Sequence, residues 1–159
     1  MYPELEAILE QAEDQYLSRP QLESFGRNIA SLAQRLKTYE FLRDQEIVIF
    51  QSIADQLQMT YAKEEQQILE RVLKHGVLVL RHCAMAMLLN NPELLQLRLL
   101  GWLKGLAQTY QTQTFDVTLF QLLQTHLKEL LPANQFALLE PLLSQVQAVL
   151  WESSTAIAI

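Results

Sequence analysis

The sequence has little cysteine, glycine or proline and no long apolar run, and each scarcity excludes a class of protein. Its one cysteine in 159 residues, Cys83, cannot close an intramolecular disulfide, and no zinc-type spacing of Cys and His accompanies it. Four scattered glycines build no phosphate-cradling loop, and with only five prolines they leave long stretches free to be helical. The longest uninterrupted apolar run in the helical segments, Cys83 to Leu89, falls far short of the roughly 20 residues that span a bilayer, so no transmembrane segment is expected. Basic residues are also sparse, twelve against eighteen acidic for a net charge of -6. They do not gather on one face, which argues against a nucleic-acid partner. The opening MYPELEAILE is acidic and lacks the basic and apolar regions of a secretory signal, so a cytoplasmic location is expected.

Apolar residues make up half of the chain. They recur at three- and four-residue intervals, as in Leu5, Ile8, Leu9, Ala12 and Tyr16, with no clear strand alternation, and this predicts an all-α protein. In SRPQL, Ser18 is an N-cap, Pro20 lies in the first helical turn and Gln21 completes a capping box, so a helix starts there. Its apolar positions run through Leu22, Phe25, Ile29, Leu32 and Leu36 toward Leu57. One straight helix of that extent is about 55 Å long, more than a domain of this size is wide, so two helices with a break near Thr38 to Asp44 are expected. Further boundaries fall at Asn90-Asn91-Pro92, around residues 111 to 116, and at Pro132, with Pro141 bending or trimming the last helix. The chain therefore reads as one domain, 1–159, of seven or eight helices, with a projecting N-terminal helix at 1–17, a helical body at 18–151 and a tail at 152–159.

The stretch HGVLVLRHCAMAMLLNNP, residues 75 to 92, holds the cysteine and two of the three histidines. His82 and Cys83 point about 100° apart on a helix, and His75 and His82 share a face but lie about 10.5 Å apart along the axis, so neither pair binds one zinc ion. No metal site and no catalytic constellation is expected. The apolar context of Cys83 raises its pKa and makes it a packed thiol, not a nucleophile. His126, between charged neighbours, reads as a solvated helix position. An all-helical domain with histidines on an apolar helix also has the outline of a haem globin, with His75 or His82 facing the pocket.

From AEDQYLSRPQL onward the sequence resembles the phycobiliproteins, the globin-related light-harvesting subunits of cyanobacterial phycobilisomes, and most closely their allophycocyanin branch. The resemblance is carried by Tyr16-Leu17-Ser18 with Pro20 and Leu22, by Ser31, Arg35-Leu36, Leu42, Asp44, Ile49 and Asp55-Gln56-Leu57, and by LRHCAMAMLLNN. It implies a globin-like phycobiliprotein fold with two projecting N-terminal helices. In the register that it implies, the cysteine that carries a covalent bilin corresponds to Val72, which cannot form a thioether. The arginine and aspartate that hold a bilin propionate and the pyrrole nitrogens correspond to Lys74 and His75. Lysine is a point charge without the arginine fork, and a neutral histidine accepts only one hydrogen bond. The segment after Leu57 is also several residues shorter than the pigment-walling loop of the family. Cys83 lies about 16 Å farther along the helix than Val72 and is no replacement.

The resemblance implies partners as well. Family subunits pair through the N-terminal helices, an Asp there meeting an Arg at the position of Arg81. Here the acidic position falls at Gln11, with Asp14 one turn away. The expected function is that of a non-chromophorylated phycobiliprotein-like protein, with no covalently bound cofactor. It would dock to phycobilisome subunits or to its own copy through Asp14, Tyr16, Leu17 and Arg81, in assembly, turnover or regulation of the antenna, and would lie peripheral to the thylakoid through the phycobilisome. The alternative is a carrier or sensor of a noncovalent bilin, or secondarily of haem, with Lys74, His75 and Trp102 as the ligand contacts.

Overall fold

The computed structural model describes residues 3–155, with side chains described through Glu152. Helix α1 spans Pro3–Gln11, α2 Arg19–Thr60, α3 Gln66–Leu88, α4 Glu93–Leu95, α5 Gly101–Tyr110, α6 Gln113–Leu130 and α7 Ala133–Thr155; a π-helical segment, Gln96–Leu100, joins α4 to α5. No strand occurs among the described residues.

Helix α2 begins at the expected signal. The Ser18 N–H donates to Gln21 Oε1 at 2.7 Å, the backward arm of the capping box. Contrary to the expectation of two helices, it runs unbroken for 42 residues, about 63 Å. The reason is that its first part does not lie in the body. Leu22, Phe25, Ile29 and Leu36 are all exposed, whereas from Leu42 onward Ile49, Phe50, Ile53 and Leu57 enter the core. With no interior proline and only Gly26 as a weak helix former, nothing in Thr38 to Asp44 interrupts the ladder.

Helix α1 folds back along the first part of α2. Gln21 Nε2 donates to Gln11 Oε1 at 2.7 Å, and Asn28 Nδ2 reaches Glu4 Oε2 at 3.4 Å. The two make an antiparallel hairpin, and no residue of α1 is buried. These are the two projecting N-terminal helices.

The root of the hairpin is fixed by Arg35, 2 % exposed. Its Nη1 donates to the carbonyl oxygen of Leu88, an otherwise orphaned acceptor in the last turn of α3. Its Nε donates to Ser31 Oγ at 3.2 Å and its Nη2 to the Asn28 carbonyl at 3.2 Å. A cation at a helix C-terminus is electrostatically favoured as well.

The body packs α3 against α2, α6 and α7. The boundary at Asn90 to Pro92 lies where expected, with Asn90 in the left-handed region at φ 47°, a conformation that asparagine tolerates better than most residues. The same device, Gln111 at φ 53°, separates α5 from α6. The π turn lets the consecutive Leu99 and Leu100 both face inward beside Leu95 and Leu103. Pro141 neither ends nor trims α7. It and Ala137, the residue whose carbonyl it leaves unpaired, are both exposed, so water takes the free acceptor. Helix α7 reaches Thr155, and residues 156–159 of the expected tail lie outside the described residues.

Candidate functional site

The inward face of α3 carries Val72, Gly76, Val79, Leu80, Cys83, Ala86 and Met87, spaced three and four apart as a helix in three-sided contact requires. Val72 is 0 % exposed, so this position opens neither to solvent nor to a groove. One turn on, Gly76 packs directly under side chains of α2 and α6. A Cβ there would meet Leu119 Cδ2 at 2.5 Å and Phe50 Cε1 at 2.9 Å.

His75, 5 % exposed, is turned toward α6. Its Nδ1 lies 3.0 Å from Asp116 Oδ1, and Thr112 Oγ1 donates to Asp116 Oδ2 at 2.6 Å. Asp116 sits in the first turn of α6, where the helix dipole favours an anion. A carboxylate only accepts, so Nδ1 carries the imidazole proton. The cavity lined by His75, Gly76, Asp116, Leu119 and Phe120 holds about 10 Å³, the space of a single water at most. A drug-sized ligand needs roughly 300 Å³ or more.

The ligand contacts expected from the sequence sit in different environments. His75 is buried and engaged with Asp116, while Lys74 is exposed and Trp102 is 47 % exposed. What separates them is the helical wheel of α3, which turns Lys74 outward when His75 faces α6.

Cys83 is fully buried, and burial pushes its thiol up to about 12, since desolvation disfavours the thiolate. This agrees with a packed thiol. His82 is half-buried and its Nδ1 lies 2.8 Å from the Leu78 carbonyl oxygen one turn back on its own helix. His126 departs from the expectation of a solvated position: it is half-buried, and its Nε2 approaches Gln56 Nε2 at 3.2 Å and Ser52 Oγ at 3.4 Å, linking α6 to α2. Among the described residues no three His, Cys, Asp or Glu side chains gather as a metal site, and no helix is long and apolar enough to cross a membrane.

The surface around Arg81 is a different environment. Arg81 Nε and Nη2 donate to Glu46 Oε2 and Oε1 at 2.9 and 2.6 Å, a two-point pairing across α3 and α2 that also holds the guanidinium more firmly protonated. A groove of about 420 Å³ lies on one side, over Tyr39, Leu42, Leu80 and Ala84. A second of about 390 Å³ lies on the other, over Leu89 and Leu94 and edged by Arg98. Arg81 and Met85 line both. At the far end of the hairpin, Asp14 is exposed and Tyr16 fully so, Leu17 is half-buried, and the connector from Ala12 to Leu17 shapes its own shallow concavity.

Four residues central to this arrangement, Asp116, Thr112, Glu46 and Arg98, carry no local signal in the sequence. Their roles depend on which helices meet, and only an acidic residue in the first turn of a helix hints at the placement of Asp116.

The fold and site define a helical domain of globin type with a projecting hairpin, an apolar surface groove and a closed interior. A family model described as phycobilisome protein matches residues 8–150, and the chain belongs to the phycobilisome protein family. Comparison with curated proteins finds no match.

Proposed function

We propose that this chain is a pigment-free phycobilisome-family protein that acts by docking, in assembly, turnover or regulation of the antenna, and that it catalyses no reaction. The observation that carries this reading is the closed interior along α3. Val72, which the family register aligns with the bilin-bearing cysteine, is 0 % exposed, and the adjoining cavity holds about 10 Å³. His75 is buried with its Nδ1 held by Asp116, and the space beside the ring is too small for a pyrrole. The docking half of the reading rests on exposed apolar surface. Tyr16, Leu22, Phe25 and Ile29 on the hairpin, and the grooves flanking Arg81, are apolar area that a folded chain seldom leaves uncovered. Partnership with phycobilisome subunits would place the protein in the cytoplasm at the thylakoid face.

The test is association with isolated allophycocyanin, followed by sedimentation of the wild type and of Tyr16→Ala and Arg81→Glu. Binding by the wild type that falls at least about tenfold in both variants supports docking through this surface. Association that neither substitution changes removes the surface from the account.

A further inference from the structure

The negative charge of the chain is unevenly shared. Residues 71 to 115 contain five Lys or Arg and a single acid, Glu93, against seven and seventeen in the rest of the chain. The local positive excess comes from missing carboxylates, not from gathered bases, so a count of basic residues alone does not show it.

The fold brings this segment together as one face. Arg71 of α3 stacks on the Tyr110 ring at the end of α5, 4.0 Å from its centroid. About three turns on, His82 and Met85 line a groove with Arg98 of the π-helical segment. The π-helical segment and α5 therefore run antiparallel along α3, with Leu103 and Ala107 packed inward.

The outward side of this stretch leaves large apolar side chains in water. Leu97 is 80 % and Trp102 47 % exposed. At about 100° per residue, Gly101 and Gly105 occupy the middle of the exposed arc of α5, with Trp102 at one edge and Lys104 at the other. A Cβ on either glycine would meet nothing within 4 Å, so no side chain of the body overhangs this ridge. Arg98 and Lys104 are exposed and have no carboxylate partner among the described residues.

Exposed Leu and Trp flanked by Arg and Lys are the composition of a helix that lies in a lipid headgroup layer, where the indole sits at the interface and the cations meet phosphate. Fields are screened within about 10 Å at ordinary salt, so the charge of this face, not that of the whole chain, governs its contact with a surface. No helix among the described residues is long and apolar enough to cross a membrane, which leaves contact from one side.

We propose that the ridge from Leu97 to Gly105 lies on an anionic lipid surface. Leu97 and Trp102 enter the headgroup layer, and Arg98 and Lys104 meet the lipid phosphates. Neither Tyr16 nor Arg81, on which the docking reading rests, takes part.

The test is co-sedimentation of the full chain, at low salt, with vesicles of phosphatidylcholine alone and of phosphatidylcholine and phosphatidylglycerol in equal parts. The wild type is expected to pellet with the anionic vesicles only, with a blue shift of tryptophan emission that Trp102→Phe removes. Each cation near the surface strengthens binding about fivefold, so Arg98→Glu together with Lys104→Glu weakens it at least about tenfold. Leu97→Ser weakens it severalfold through lost apolar burial. All the altered side chains are exposed, and unchanged helical circular dichroism marks each form as folded. A wild type that ignores anionic vesicles overturns the proposal, as does equal binding to phosphatidylcholine alone, binding indifferent to the double charge reversal, or binding with unmoved Trp102 emission. If the double reversal weakens association with allophycocyanin while vesicles stay unbound, the proposal is overturned in favour of an acidic protein surface on this ridge. A chain inert toward vesicles that still binds allophycocyanin through Tyr16 and Arg81 loses the lipid contact alone and keeps the proposed function.

Discussion

Position 76 on α3 leaves no room for a methyl group, because Leu119 and Phe50 already occupy its place. Gly76→Ala is expected to cost about 1 to 3 kcal/mol through overpacking, read as a lowered urea midpoint with unchanged slope. One residue earlier, Asp116→Ala leaves the His75 ring buried without its partner. A loss of about 1 to 3 kcal/mol follows, with a smaller loss for Asp116→Asn, which keeps an acceptor oxygen. Cys83, with its thiol pushed up to about 12 by burial, should be silent toward an aromatic disulfide reagent at pH 8 and react once per chain after unfolding. In the unfolded chain the same thiol ionises near 9.0. Its contribution to stability is thus complete below that pH and is lost as the pH rises toward 12. Single residues were legible where composition alone decides. An apolar context is enough to make Cys83 a core thiol, but nothing local told that His75 would meet Asp116, because 41 positions separate them and only the α3 and α6 crossing joins them.

The helices themselves were legible at their ends and less so in their middles. Ser18, Pro20 and Gln21 announce the start of α2, Asn90 and Pro92 the end of α3, because caps and left-handed residues act through local geometry. The unbroken length of α2 was not legible. An argument from domain width fails for a helix whose first part stands outside the domain, and the exposure of Leu22, Phe25 and Ile29 is a property of the assembled fold, since the same periodic pattern in sequence reads as a core face. The π turn at Gln96–Leu100 was likewise silent, for its cause is the demand that two adjacent leucines both be buried. At the element scale, Gly26 gives a clean prediction. It lies inside α2, a Cβ there meets nothing within 4 Å, and its φ is not positive. Gly26→Ala should therefore stabilise the protein by about 0.5 to 1 kcal/mol, measured as a raised urea midpoint, by removing backbone freedom from the unfolded chain.

For the whole molecule, two surfaces of opposite kind explain more than any one residue. The interior along α3 is closed by packing and by the His75, Asp116 and Thr112 chain, while the hairpin and the grooves beside Arg81 leave apolar area open. The pigment-free reading proposed above requires that neither this interior nor these grooves hold a bilin. The central claim is therefore tested most directly by titrating the purified protein with free phycocyanobilin and following absorption, then denaturing the sample and running a zinc-fluorescence gel. The account predicts no sharpened red band at any bilin concentration and no fluorescent protein on the gel. A red band that disappears on denaturation, with a pigment-free gel, would contradict it and establish a noncovalent bilin site.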